Sequence, residues 1–157
     1  MKILTAFYSR TGRTKKIGEE IAAELNCEVE EFFDTQKRKG IWGFLKSGYQ
    51  ASRRKLTVLQ PIEIDPSEFD VVIIGTPIWN RHVSVPTRTY ISQIESKFKK
   101  VAFFCTEGKV GGKRAFAEME KIGGKEPIAV LEITRKELKN EDYAEKLKEF
   151  IELVEEG

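Results

Sequence analysis

The chain has two cysteines, Cys27 and Cys105, and one histidine, His82, too few for a disulfide framework or a Cys/His zinc site. No metal ligation is expected. No apolar run approaches the roughly 20 residues of a membrane span, and a single lysine ahead of the first apolar run gives no leader-like start. A cytoplasmic location is the expectation. Charge of one sign is also scarce: 27 Lys and Arg against 25 Asp and Glu leave +2, too little by itself to argue for a nucleic-acid partner, and none is expected. Common nucleotide signatures are missing too. No Gly-x-Gly-x-x-Gly follows the first apolar run, and Gly112-Lys113 is followed by Arg114 where a P-loop requires Ser or Thr. Position 111 is glycine, which excludes a Cys-x5-Arg phosphatase built on Cys105, and Gly75 stands where a phosphoacceptor receiver domain needs an aspartate.

What is present is a regular alternation. Ile3–Phe7, Val71–Ile74, Val101–Phe104 and Ile128–Leu131 are short runs that are apolar at both parities, as in strands covered on both faces of a parallel sheet. Cys27 to Phe33 is interrupted by Glu28, Glu30 and Glu31, which places it at a sheet edge. Helical patterns lie between. Ile17, Ile21, Ala22 and Leu25 form one; Pro86 opens another, with Tyr90, Ile91 and Ile94; Phe116, Met119 and Ile122 share a side of a third, which stops at Gly123-Gly124. Asn140, followed by Glu141 and Asp142, caps a helix bearing Tyr143, Leu147, Phe150, Ile151 and Val154. Ile41 to Lys55 is expected to be helical and to bury Ile41, Phe44, Leu45 and Tyr49 against the sheet. A lid over a ligand, a dimer contact and a membrane-surface helix are the lesser readings of that segment, and a membrane-surface role is not the one expected. At 157 residues the chain is expected to be one domain, 1–157. Right-handed crossovers then give a doubly wound α/β three-layer sandwich around a five-stranded parallel sheet.

Ligands of such sheets bind outside the carboxyl ends of the strands. The first carboxyl-end loop contains Ser9-Arg10-Thr11-Gly12-Arg13-Thr14: three hydroxyls and a glycine at a helix start, where unpaired N–H groups and a partial positive charge suit a phosphate. A plain N-cap with spare hydroxyls is the alternative. The second, Gly75-Thr76-Pro77-Ile78-Trp79-Asn80, presents a tryptophan at a position expected to be partly exposed, fit to roof the sheet or to meet a planar ligand. The third, Cys105-Thr106-Glu107-Gly108-Lys109-Val110-Gly111-Gly112, has three glycines in eight residues, which permit close backbone approach.

Together these loops make the chain resemble the flavodoxin family over almost its whole length. Ser9 to Thr14 is similar to that family's phosphate pattern, (Ser/Thr)-x-Thr-Gly-x-Thr, directly after the first strand. The resemblance implies strand order 2-1-3-4-5, with which the edge character of Cys27 to Phe33 agrees. It implies noncovalently bound FMN and electron transfer, with Ser9, Arg10, Thr11, Gly12, Arg13 and Thr14 at the phosphate. Thr76, Pro77, Ile78, Trp79 and Asn80 would cover one side of the ring, Trp79 by stacking. Thr106, Glu107, Gly108, Gly111 and Gly112 would meet its polar edge.

Two departures from the family bear on partners. The third loop has no aromatic, so one ring face is expected to be more open. Seven basic residues and no acidic one lie between Thr35 and Ile62, and Arg10, Arg13, Arg81, Lys109, Arg135 and Lys136 add cations to the carboxyl-end loops. Such a rim would steer an acidic redox partner such as a ferredoxin, or NADPH. The alternative function is an FMN-dependent NAD(P)H oxidoreductase that reduces a quinone or similar acceptor. A homodimer is left open. His82 is expected to be an exposed loop residue without a catalytic part.

Overall fold

The computed structural model describes Met1–Gly157. The chain runs β1 (Ile3–Phe7), α1 (Arg13–Leu25), β2 (Glu28–Glu31), α2 (Gly40–Ser52), β3 (Val71–Trp79), β4 (His82–Val83), α3 (Val85–Ile94), β5 (Lys100–Glu107), α4 (Gly112–Gly123), β6 (Val130–Thr134), α5 (Arg135–Asn140) and α6 (Ala144–Glu156). Five parallel strands lie in the order β2-β1-β3-β5-β6, which is the expected order once β4 is set aside. β4 pairs antiparallel with the end of β3.

The parity of the apolar runs explains the layers. Leu4, Ala6, Val72, Ile74, Val101 and Phe103 pack on one side with Tyr90 and Ile91 of α3 and Phe116 and Met119 of α4. Their neighbours Ile3, Phe7, Val71, Ile73, Ala102 and Phe104 pack on the other with Ile17 and Ile21 of α1 and Phe150, Ile151 and Val154 of α6. Each fully buried Leu, Ile or Phe contributes about 1.5–3 kcal/mol, so a strand buried at both parities is held from both sides. β2, paired only through β1, is the edge that its glutamates indicated, and Val29 is exposed there.

Several boundaries differ from the sequence expectation, each for a local reason. β3 and β5 run on through Trp79 and Glu107, pairing up to Pro77 with Thr106, so much of the expected second and third loops is strand. The last strand is Val130–Thr134, two residues later than expected. Thr134 to Asn140, expected from the sequence to be a further carboxyl-end loop, is a short capped helix: Thr134 Oγ1 accepts the Glu137 N–H at 3.2 Å while the Glu137 carboxylate accepts the Thr134 N–H at 2.8 Å, a reciprocal capping box. Asn140 therefore ends α5 instead of capping α6, which starts at Ala144.

The largest difference is α2. It is helical, but it buries Gly43, Ser47 and Ala51, while Ile41, Trp42, Phe44, Leu45 and Tyr49 are all more than half exposed. The expected burial of Ile41, Phe44, Leu45 and Tyr49 is thus reversed. The cause is Arg38, which the sequence placed among the basic rim residues but which is buried in the turn before α2. Its guanidinium pairs with Asp34 and donates to Gln50 Oε1 at 2.8 Å and Ser47 Oγ at 3.4 Å. A buried ion pair must be solvated by protein groups, so the polar side of α2 faces inward. A Cβ at Gly43 would come within 2.4 Å of the Arg38 carbonyl oxygen, so only glycine allows this approach.

Candidate functional site

The carboxyl ends of β1, β3 and β5 open onto a cleft of about 600 Å³. That is within the roughly 300–1,000 Å³ of small-molecule sites. Its first end is the β1–α1 turn. Gly12, at φ 93°, takes the left-handed conformation that glycine adopts without strain, and it occupies the N-cap position of α1. No side chain caps the helix and no acidic residue lies in its first turn, so its leading amides have no side-chain partner and the side-chain cap of the alternative reading is not formed. Ser9 Oγ accepts the Gly12 N–H at 3.0 Å, closing the turn. Thr14 is buried, and its Oγ1 lies 2.8 Å from Thr106 Oγ1, which ties the first loop to β5.

Arg10, Arg13, Arg81, Lys109 and Arg135 line the cleft, against one carboxylate, Glu107. None of the five makes an ion pair. Partial burial, then the charges of Arg135 and Arg10, hold Arg13 below the usual guanidinium range. Like charges gathered without counterions mark a place for an anion.

The same cleft is lined by Phe44, Leu45 and Tyr49 of α2, by Pro77, Ile78 and Trp79 of β3, and by Val110. Trp79 is only 6% exposed, against the expectation of a partly exposed ring. Tyr8 meets it edge-on at 5.7 Å, and the Arg38 guanidinium sits 5.2 Å over its ring. One face of the tryptophan is thus already taken. The other two lining aromatics also carry cations: Arg10 lies over the Phe44 ring, and Arg53 and Lys55 lie over Tyr49.

Asn80 and Arg81, at φ 49° and 65°, form the two-residue turn of the β3–β4 hairpin, with Trp79 opposite His82. Two consecutive left-handed residues are the requirement of such a turn, and it delivers Arg81 to the cleft. Gly111, at φ 130°, packs beneath this tip, where a Cβ would stand 2.8 Å from Arg81 Cα. Asn80 donates to Ser52, which joins the hairpin to the end of α2.

Glu107 is buried at the cleft edge. One oxygen accepts the Gly112 N–H at 3.1 Å, and the other, Oε1, has no partner. Burial, and then the nearby Glu132, push its carboxyl up to about 7. It can therefore be protonated near neutrality and present either a donor or an acceptor.

Of the residues expected at the site, Arg10, Thr11, Arg13, Thr14, Pro77, Ile78, Trp79, Asn80, Thr106, Glu107 and Gly108 line the cleft together. Ser9, Gly12, Gly111 and Gly112 are not among the lining residues and shape the adjoining turns. Thr76 is fully buried, its Oγ1 accepting the Ser84 N–H at 3.0 Å, so it supports α3 and does not reach the cleft. The lining residues that sequence reasoning missed are those of α2. Their signal was the row of small residues Gly43, Ser47 and Ala51, four apart, which marks the side that packs closely.

His82 is buried and not exposed. Its Nδ1 lies 2.6 Å from Glu118 Oε1, and Arg88 holds the other carboxylate oxygen, a network that fastens β4 to α3 and α4. Cys105 is buried, and burial raises its thiol well above its ordinary value, so it does not offer a thiolate.

No family model matches the sequence, and no curated protein matches it either. Solved structures do match. A flavoprotein in complex with FMN from Lactobacillus acidophilus superposes with TM-score 0.74 at 24% identity, over 88% of this chain and 97% of that one. The two-electron reduced flavodoxin of Megasphaera elsdenii gives TM-score 0.61 at 17% identity, over 99% of both chains. Oxidised flavodoxin 1 from Bacillus cereus gives 0.57 at 16%, over 99% of this chain and 98% of that one. With the strand order and the layers described above, these likenesses establish that the chain has the flavodoxin-like fold.

Proposed function

We propose that the chain binds FMN noncovalently in this cleft and works as an electron-transfer protein. The observation that carries the reading is that one cleft joins an uncapped helix start and five cations without ion-pair partners to apolar and aromatic side chains. The residues fit such a ligand. The hydroxyls of Ser9 and Thr11 and the first amides of α1 would hold the phosphate, with Arg10 and Arg13 balancing its charge. Tyr49, Phe44 and Ile78 would flank the ring and keep water from it, and the unpartnered Oε1 of Glu107 would meet a polar edge. The bound flavin would supply the redox chemistry, with the protein contributing position and electrostatics. The hydroxyl pair of Thr14 and Thr106 would keep the phosphate end and the ring end in register.

The purified protein should quench the fluorescence of added FMN at one flavin per chain and show the corresponding visible spectrum. Failure to take up FMN would overturn the proposal.

A second reading is an FMN-dependent NAD(P)H oxidoreductase acting on a quinone or similar acceptor. The surplus of cations favours it: five line the cleft, more than one monophosphate neutralises. Fast bleaching of the FMN-loaded protein by NADPH alone would support this reading. Reduction only by dithionite or a protein donor would support the carrier.

A further inference from the structure

Large exposed apolar residues are concentrated in one part of the surface: nine of the thirteen lie between Val29 and Val58, and five of those are on α2. Trp42 is 84% and Ile41 78% exposed, and neither lines the cleft. Phe44, Leu45 and Tyr49 complete the same face and do line it, so the patch and the cleft mouth are one continuous surface. Cations surround it. Lys39, Lys46, Arg53 and Lys55 are exposed, and none makes an ion pair. An apolar, aromatic centre inside a charged rim is the anatomy of a protein interface, and aromatic patches of this kind are rarely left uncovered.

Resting on the electron-transfer reading above, we propose that the outward face of α2, centred on Ile41 and Trp42, is the docking surface for an acidic redox protein. The partner would cover α2 and the cleft mouth together. Charge complementarity identifies it, since no acidic residue occurs from Thr35 to Ile62 while six exposed basic ones do, the buried Arg38 set aside. The arrangement of the cations argues against a lipid bilayer as the occupant. Arg10 lies 5.4 Å over the Phe44 ring, and Arg53 and Lys55 lie 5.6 and 5.7 Å over Tyr49. Rings covered by cations cannot enter hydrocarbon without desolvating the charge, whereas a carboxylate can pair with each cation where it stands. A second copy of this chain would set the same cations against each other.

The test uses the full-length protein, with and without FMN, and an acidic [2Fe–2S] ferredoxin as probe. Affinity is measured by titration calorimetry at two salt concentrations. The wild type should bind, more weakly at high salt. The double variant Ile41→Ser, Trp42→Ser should bind about tenfold or more weakly, as expected for an interface anchor. Lys39→Glu with Lys46→Glu should weaken binding comparably and reduce its salt dependence. FMN affinity should be unchanged in both, because none of the four positions lines the cleft. Absence of ferredoxin binding by the wild type, or variants that bind as well as the wild type, would overturn the proposal. So would Trp42-dependent sedimentation with phosphatidylserine vesicles while ferredoxin binding is unaffected, or a self-association that the double variant abolishes. A protein that binds ferredoxin through α2 but takes up no FMN would leave the docking surface standing and sink the cofactor reading instead.

Discussion

α1 and α2 have the same length, thirteen residues each, and both border the cleft, yet they turn opposite sides to the protein. α1 buries Ile17, Ile21 and Ala22 against the sheet and leaves its charges outside. α2 buries Gly43, Ser47 and Ala51 and leaves its aromatics outside. The difference lies in what each helix rests on. α1 lies on the apolar face of β1 and β3, where burial of its stripe is the dominant gain. α2 rests on the buried Arg38–Asp34 pair, to which Ser47 and Gln50 on its polar side supply hydrogen-bond partners. The consequence reaches the cleft, because the side of α2 that is not used for folding becomes its wall.

Four measurements would break or sharpen this contrast. The largest effect is expected at the anchor of α2. Arg38→Ala would leave Asp34 buried without its counter-charge, and should cost about 3–5 kcal/mol in denaturant unfolding. Hydrogen exchange should show α2 losing protection before α1; a cost under about 1 kcal/mol would mean that the pair does not orient the helix.

Next, Ile21→Ala in α1 should cost about 2–5 kcal/mol, as a buried truncation that leaves a cavity. The matching truncation in α2, Leu45→Ala, should change stability by only about 0.5 kcal/mol, because the side chain is 56% exposed. Equal losses at the two positions would erase the contrast.

Tyr49→Ala should likewise leave stability nearly unchanged while weakening FMN about tenfold, or about 1.4 kcal/mol, read from fluorescence quenching. Unchanged affinity would remove α2 from the binding site.

The smallest effect is expected at Glu107. Its folded carboxyl, raised to about 7, keeps a proton that the unfolded chain releases from about 4.5 upward. Stability should therefore fall as pH rises through that window, and the loss should be complete above it. Glu107→Gln should flatten the dependence and raise Tm above pH 7 by about 3 °C relative to the wild type. Glu132 and Glu137 also act on this carboxyl, so the same substitution in a Glu132→Gln background should have a smaller effect. A pH profile identical to that of the wild type would show that Glu107 does not carry the buried proton.

Much of the fold was legible because burial at both parities is written locally: β1 and β3 each show it within a few residues. The turn at Ser9 to Thr14 was legible for the same reason, since its residues are neighbours in the chain. The three carboxyl-end loops could be brought to one place by topology alone. The α2 wall could not, because a helical stripe specifies a side and says nothing about what that side meets. The β3–β4 hairpin was missed because Asn80-Arg81 lacks the glycine that usually marks a left-handed pair. α5 was missed although Thr134 and Glu137 spell a capping box, because Asn140 offered a competing start six residues after Thr134.

By itself, then, the sequence determined the alternation of strands and helices, the doubly wound sheet and the phosphate-suited turn after β1. These depend on periodicity and on contacts between near neighbours. Only the tertiary structure decided that Trp79 is buried beneath Arg38, that His82 is held by Glu118, and that α2 points its aromatics outward. For Trp79 and His82 the deciding partner comes from a segment distant in the chain, and for α2 it is the Arg38–Asp34 pair that folding buries just before the helix. A side chain's exposure depends on the partner that folding sets against it, and no local pattern encodes that.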